Sequence, residues 1–324
     1  MTKEVNKKQH YIPVCYLKNF SENDKFVYVY NKNTSKHYPN SIEKIFCKDD
    51  FYRIPIESIP KSIKDKVDPL WIERVFFRDN IESQYSDFLK ELIFLVDDVL
   101  NSGEDITQYR IPVDFKYKLA FYAIIQYFRT PEARQGVLDY IINIENTLGP
   151  INRYYEKHDG VSLFPFLSAS EKVHNPVIAH FAVLFLHPEL IQSFAESLSK
   201  NIWQIWVAKD DTFFTSDQPI MFENFYGEMS SIKYDNLNLF GDVLSFPLSR
   251  KIVAKMYDKD YFSQLMNCDR GCIFAKKEFI MAHNVKQYLW AKEYVVSYSN
   301  DFRIIEDCKN ILGKEYSVRH KFIF

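Results

Sequence analysis

The hydrophobic residues of this chain change their period twice, and that change restricts the folds open to it. Near the start, Phe26–Tyr30 alternates and is aromatic or β-branched, which predicts a strand. Turn residues Asn31–Asn33 follow, and a second strand near Lys36–Tyr38 would complete a hairpin. From about Pro69 to Lys200 the spacing becomes helical. Ile81, Tyr85, Phe88, Leu92, Leu95 and Val96 mark one helix, with Asn80 as its N-cap. A second helix is expected over Val113–Phe128. Thr130 then caps a third, with Pro131 at the first helical position, where its missing N–H costs nothing. That helix is expected to reach about Leu148, and two more fall near Pro176–Leu186 and Pro188–Ser199.

After residue 200 strands return. Trp203–Ala208 and Thr212–Ser216 flank Asp210-Asp211 as an expected hairpin. Asp242–Leu248 and Lys251–Tyr257 form another pair, Lys276–Leu289 reads as a helix, and Glu293–Ser299 as a strand. The expectation is an α+β fold in one globular unit, 1–324. Residues 1–70 hold short strands and loops, 71–200 helices, and 201–324 mixed strand and helix. The two β-rich ends would share one sheet around the helical middle.

Composition narrows the function classes. The 41 basic residues stand against 43 acidic ones, so no bulk basic charge supports a long nucleic-acid surface; a nucleotide or a local nucleic-acid contact stays open. Five widely spaced cysteines and a polar opening, MTKEVNKKQH, predict reduced thiols and a cytoplasmic protein. No apolar run reaches the roughly 18 residues of a membrane helix, so no membrane partner is expected.

There is no P-loop, dinucleotide fingerprint, nucleophile elbow or zincin motif. Cys268, Cys272 and His283 could be three zinc ligands, but a structural site needs a fourth, and separate buried thiols are the better reading. His174, His180 and His187 read as core or interface histidines. Glu73 and Glu82 lie nine residues apart, opposite one another on an α-helix, which leaves only Glu82 as a modest candidate.

Three segments concentrate polar residues in apolar surroundings. In Lys7–Phe20, Gln9 and His10 precede a helix start at Pro13, where free N–H groups favour an anion. In Ile124–Arg134, Gln126 and Arg129 share a helix face, and Arg129 and Arg134 flank a helix junction. They could clasp a phosphate or carboxylate, or tie loop carbonyls. In Phe213–Ile220, a strand ends in Thr215-Ser216-Asp217, where an Asp serves a metal, a base or an ordinary turn.

Together these segments resemble the bacterial family called domain of unknown function 4238. Its opening pattern looks like Lys7 or Lys8, Gln9, His10, Tyr11, Ile12, Pro13, Tyr16, Leu17, Lys18 and Phe20. Its Gln-x-x-Arg-Thr-Pro looks like Gln126, Arg129, Thr130 and Pro131, and its Phe-Tyr pair like Phe51-Tyr52. Its Thr-Ser-Asp-Asn-Pro resembles Thr215 to Pro219, with Gln218 in place of Asn, and a later helical Asn resembles Asn284. The resemblance implies a bacterial globular unit and no settled activity.

The leading expectation is a hydrolase-like or nucleotide-handling enzyme acting on a phosphate-containing substrate. His10 would be the general acid/base, and Asp217 would orient it or hold a divalent metal ion. Gln9, Gln126, Arg129, Arg134 and Ser216 would bind substrate, the arginines neutralising phosphate charge. A nuclease-type role in bacterial conflict or phage defence rests only on the kind of orphan protein this resembles. The alternative is a non-catalytic binding or assembly module in which the same residues are buried struts.

Overall fold

The two ends of the chain meet in one sheet. The structure, a computed structural model, describes residues 8–58, 64–163, 175–181, 188–224, 229–230 and 241–312. Its strands are β1 (Lys8–His10), β2 (Phe26–Asn31), β3 (Lys36–Ser41), β4 (Cys47–Asp49), β5 (Ile202–Val207), β6 (Thr215–Ser216), β7 (Met221–Glu223), β8 (Met229–Ser230), β9 (Val243–Ser249), β10 (Ile252–Tyr257), β11 (Cys272–Phe274) and β12 (Tyr294–Ser297). Its helices are α1 (Val14–Leu17), a π-helical stretch (Ile72–Glu82), α2 (Ser83–Ser102), α3 (Val113–Phe128), α4 (Pro131–Asp159), α5 (Pro176–Phe181), α6 (Pro188–Ser199), α7 (Lys277–Trp290) and α8 (Arg303–Leu312).

The four-stranded sheet runs β3-β2-β12-β6. The expected hairpin β2–β3 joins β12 from the far end of the chain, so the architecture is α+β with both ends in one sheet. A six-stranded sheet, β11-β5-β10-β9-β7-β8, is antiparallel apart from the β11–β5 edge. One of its faces is apolar without a break. Trp203, Ile205 and Val207, then Ile252, Ala254 and Met256, then Leu244, Phe246 and Leu248 all enter the main core. There they meet Leu92 of α2, Leu119 and Ile124 of α3, Val137 of α4 and Leu198 of α6. The other face differs: Gln204, Lys255 and Ser245 stand side by side across β5, β10 and β9. Directly opposed residues share a face, so these three form one polar row.

Three expectations are corrected. Trp203–Ala208 and Thr212–Ser216 are not a hairpin, because β5 pairs with β10 and β11 while β6 pairs with β12 in the other sheet. Asp210-Asp211 is the crossing between sheets. Asn80 is not an N-cap: it lies inside the π-helical stretch, its Nδ2 donating to the Val75 carbonyl at 2.6 Å. The helix after Pro131 continues past Leu148 to Asp159, where Gly160 ends it at φ +64°. Thr130 does cap it, accepting from Ala133 N at 3.3 Å. His174 and His187 lie outside the described residues, as does the side chain of His180.

The opening segment is built into this frame. Ile12, Tyr16, Leu17 and Phe20 are fully buried. The Tyr16 hydroxyl touches both sheets, donating to the Pro247 carbonyl of β9 at 2.7 Å and lying 2.7 Å from Thr215 Oγ1 of β6. Tyr16→Phe leaves both partners without that hydroxyl and is expected to cost about 1–3 kcal/mol in urea unfolding. Removal of residues 1–20 strips several core side chains, each worth about 1.5–3 kcal/mol. The truncated chain should melt far lower or precipitate; an unchanged melting curve would refute this packing.

Candidate functional site

Arg129 sits where α3 ends and Thr130-Pro131 begins α4, so its side chain turns inward instead of following either helix. Its guanidinium is 1% exposed. Nη2 donates to the His10 carbonyl and to Glu82 Oε1, each at 2.7 Å, and the Phe77 ring centroid lies 4.2 Å from its central carbon. Burial works against its charge, but Glu82, Tyr52 and Glu73 beside it hold it firmly cationic.

The neighbouring polar side chains grip backbone. Gln126 Nε2 donates to the Tyr11 carbonyl at 3.3 Å. Gln9 Oε1 accepts from Tyr52 N at 2.5 Å, and the Tyr52 hydroxyl donates to the Arg129 carbonyl at 3.3 Å. Arg134 donates to the Phe51 carbonyl and stacks 3.7 Å from that ring's centroid; burial lowers its pKa to about 10. His10 Nε2 lies 3.2 Å from the Glu43 carbonyl, and burial lowers its pKa against the pull of that bond.

The π-helical stretch adds a group that helical spacing had set aside. Its i→i+5 bonding gives about 4.4 residues per turn, so nine residues make two turns. Glu73, Phe77 and Glu82 therefore share a face, and Glu73 joins Glu82 in the field of Arg129. Burial raises the Glu73 carboxyl to about 7; Arg129 opposes that rise and Glu82 adds to it. Around this cluster, Glu73 Oε2, Arg129 Nε and Nη1, Gln9 Nε2, Gln126 Oε1 and the Tyr85 hydroxyl are buried without a hydrogen-bond partner. The sequence signal of this stretch is the spacing of its buried Ile72, Phe77 and Ile81, at five- and four-residue steps.

A second cluster forms around Asp217. Its carboxylate accepts from three successive backbone N–H groups, Lys292 at 2.9 Å, Glu293 at 2.6 Å and Tyr294 at 3.0 Å. Burial and then Glu132 push its pKa up to about 7, while the three N–H donors pull it back. Ser216 Oγ donates to the Gln218 carbonyl at 2.9 Å and accepts from Gln287 Nε2 at 2.6 Å. Asn284, one turn before Gln287 on α7, accepts from Phe214 N at 2.7 Å and donates to the Thr212 carbonyl at 2.9 Å. Between the two clusters, at the start of α4, lies a small recess of about 20 Å³ lined by Tyr127, Thr130, Glu132, Ala133, Gln218, Ile220 and Trp290. Burial raises the Glu132 carboxyl there, against Lys292 and Lys48.

Thus Gln9, His10, Gln126, Arg129 and Arg134 gather at the opening segment and the Phe51-Tyr52 pair, while Ser216 and Asp217 are fastened to α7 and β12. The hydrogen bonds of His10 and Asp217 run to different backbone stretches and do not join the two residues. Cys272 is buried in β11, Cys268 is exposed, and His283 lies 3.2 Å from the Phe214 carbonyl. Among the described residues, no three His, Cys, Asp or Glu side chains are grouped to hold a metal ion.

These two fastenings use the residues of the opening, middle and strand-end motifs together. The chain belongs to the family described as Protein of unknown function (DUF4238), whose model matches residues 8–301. No curated protein matches it, and no solved structure does.

The raised Glu73 carboxyl has a pH consequence. A carboxyl whose pKa is higher folded than unfolded stabilises the fold below its unfolded value, and that stability is lost as pH rises through the folded value. Between about 4.5 and about 7 the native protein should therefore lose stability that Glu73→Gln retains. Melting temperatures of the two proteins across that range check it; parallel curves would place Glu73 in water.

Proposed function

We propose that this protein is a binding or assembly module in which the polar motif residues are internal fasteners. One observation carries the reading: the side chains of Gln126, Arg129, Arg134 and Asp217 all reach backbone groups of distant chain segments. Such bonds hold His10-Tyr11, Phe51 and residues 292–294 in place from within the fold. The five free thiols fit a reducing cytoplasm, and among the described residues no helix is long and apolar enough to cross a membrane. Arg129→Ala and Asp217→Ala leave buried groups unpaired and are expected to cost about 2–5 kcal/mol each. Denaturant unfolding checks this; a wild-type midpoint in both variants would remove the fastener role.

A second reading keeps one observation of its own. Arg129 Nε and Nη1 have no partner and lie in the field of Glu73, whose carboxyl burial raises to about 7, and of Glu82. A carboxyl raised to about 7, beside a second carboxylate and a fixed cation, suits general acid–base work on a phosphate-containing substrate. In that reading the protein is a hydrolase-like or nucleotide-handling enzyme, His10 is a further proton carrier, and a nuclease-type role in bacterial conflict would use the same groups on a phosphodiester. Incubation with mixed nucleotides and nucleic acids, with and without divalent metal ions, separates the two. Turnover that disappears in Glu73→Gln while its folded fraction stays at the wild-type level would establish the enzyme; no turnover of any substrate leaves the module.

A further inference from the structure

The polar row on the six-stranded sheet belongs to neither fastening. Beside it Glu223 is shared by two lysines: Lys286 of α7 contacts its Oε2, and Lys255 of β10 lies 3.9 Å from its Oε1. The side chains of Glu223, Lys255 and Lys286 are 9%, 15% and 35% exposed, so the group is buried at one end and opens at Lys286. Lys255 lies 4.8 Å from the Trp206 ring centroid, and Gln204 and Ser245 flank it in register. Among the described residues two ammonium groups face this one carboxylate, an excess of positive charge in a poorly solvated place.

His283 supplies the second observation. Its Nε2 faces the Phe214 carbonyl at 3.2 Å, and a carbonyl only accepts, so Nε2 carries the proton. Nδ1 is then a lone pair, buried and without a donor. Burial and the charge of Lys255 lower the His283 pKa to about 3, so that lone pair stays unprotonated at neutral pH. Burial and Lys286 likewise lower the pKa of Lys255, against the pull of Glu223.

We propose that Lys255, Lys286 and His283 form a binding site for a phosphate group, free or as a monoester. The requirement is a ligand that brings negative charge to the two lysines and one O–H donor to the histidine. A singly protonated phosphate does both. A carboxylate or sulfate brings charge but no proton. The site goes beyond either functional reading and holds under each, because its residues take no part in the Arg129 and Asp217 fastenings.

The test is a thermal-shift series on the full chain at about pH 6, where inorganic phosphate keeps at least one proton and a monoester keeps one in a large share of its molecules. Inorganic phosphate, glycerol phosphate, sulfate and acetate at about 10 mM are compared with chloride at equal ionic strength. Phosphate or its ester should raise the melting temperature by about 2 °C or more, and sulfate and acetate by less. The larger of the two phosphate responses distinguishes a free anion from an ester. In Lys255→Met and in Lys286→Met, each read against its own baseline, the phosphate shift should vanish. Calorimetric titration of phosphate into the same proteins covers a variant whose melting becomes broad. No phosphate shift beyond chloride, an equal shift with sulfate, or a phosphate shift that survives both substitutions would overturn the proposal.

Discussion

A buried guanidinium cannot be left uncompensated, and Arg129 organises its surroundings through that requirement. The partners it takes come from two distant parts of the chain: the His10 carbonyl of the opening segment, and Glu82 with the Phe77 face of the π-helical stretch. Each partner is thereby positioned. The opening Gln9-His10-Tyr11 and the middle Gln126-x-x-Arg129-Thr130-Pro131 are two halves of one joint, one offering backbone carbonyls and the other donors. Thr130 and Pro131 fix where α3 gives way to α4, and so where Arg129 turns inward.

A second joint repeats the principle with opposite charge. Asp217 gathers three N–H groups of residues 292–294 and so sets the approach of β12 to β6. Helix α7 braces the same strand through Asn284 and Gln287. Both joints act on the chain ends, which fits a sheet whose inner strands, β2 and β12, come from opposite termini.

Elements governed by local pattern were legible in the sequence. The β2–β3 hairpin, α3, the Thr130 cap, the β9–β10 pair and most of α7 follow from alternation, helical spacing and capping. Elements governed by distant partners were not. Alternation in Trp203–Ala208 and Thr212–Ser216 marks two strands but carries no information on whether they pair with each other. The π-helical stretch defeated a 3.6-residue template, so Glu73 was placed on the wrong face. Asp217 was recognisable as a special carboxylate, yet its donors lie some 75 residues onward in backbone, where side-chain patterns leave no trace. The polar row with Lys255 was hidden for a related reason: a lysine inside the strand Ile252–Tyr257 reads as a solvent-facing position.

The shared sheet also has a meaning in time. β2 ends at Asn31, and its partner β12 begins at Tyr294. At about 5–20 residues per second, roughly 10–50 s of synthesis separate the two on a ribosome. Through that interval the β2–β3 hairpin exists without its inner neighbour, and an isolated two-stranded hairpin is at best marginally stable in water. Its unpaired edge is a template for wrong pairing. The β2–β3 hairpin thus emerges long before its native partner β12, and its safe passage rests on whatever shields nascent strands in the cell.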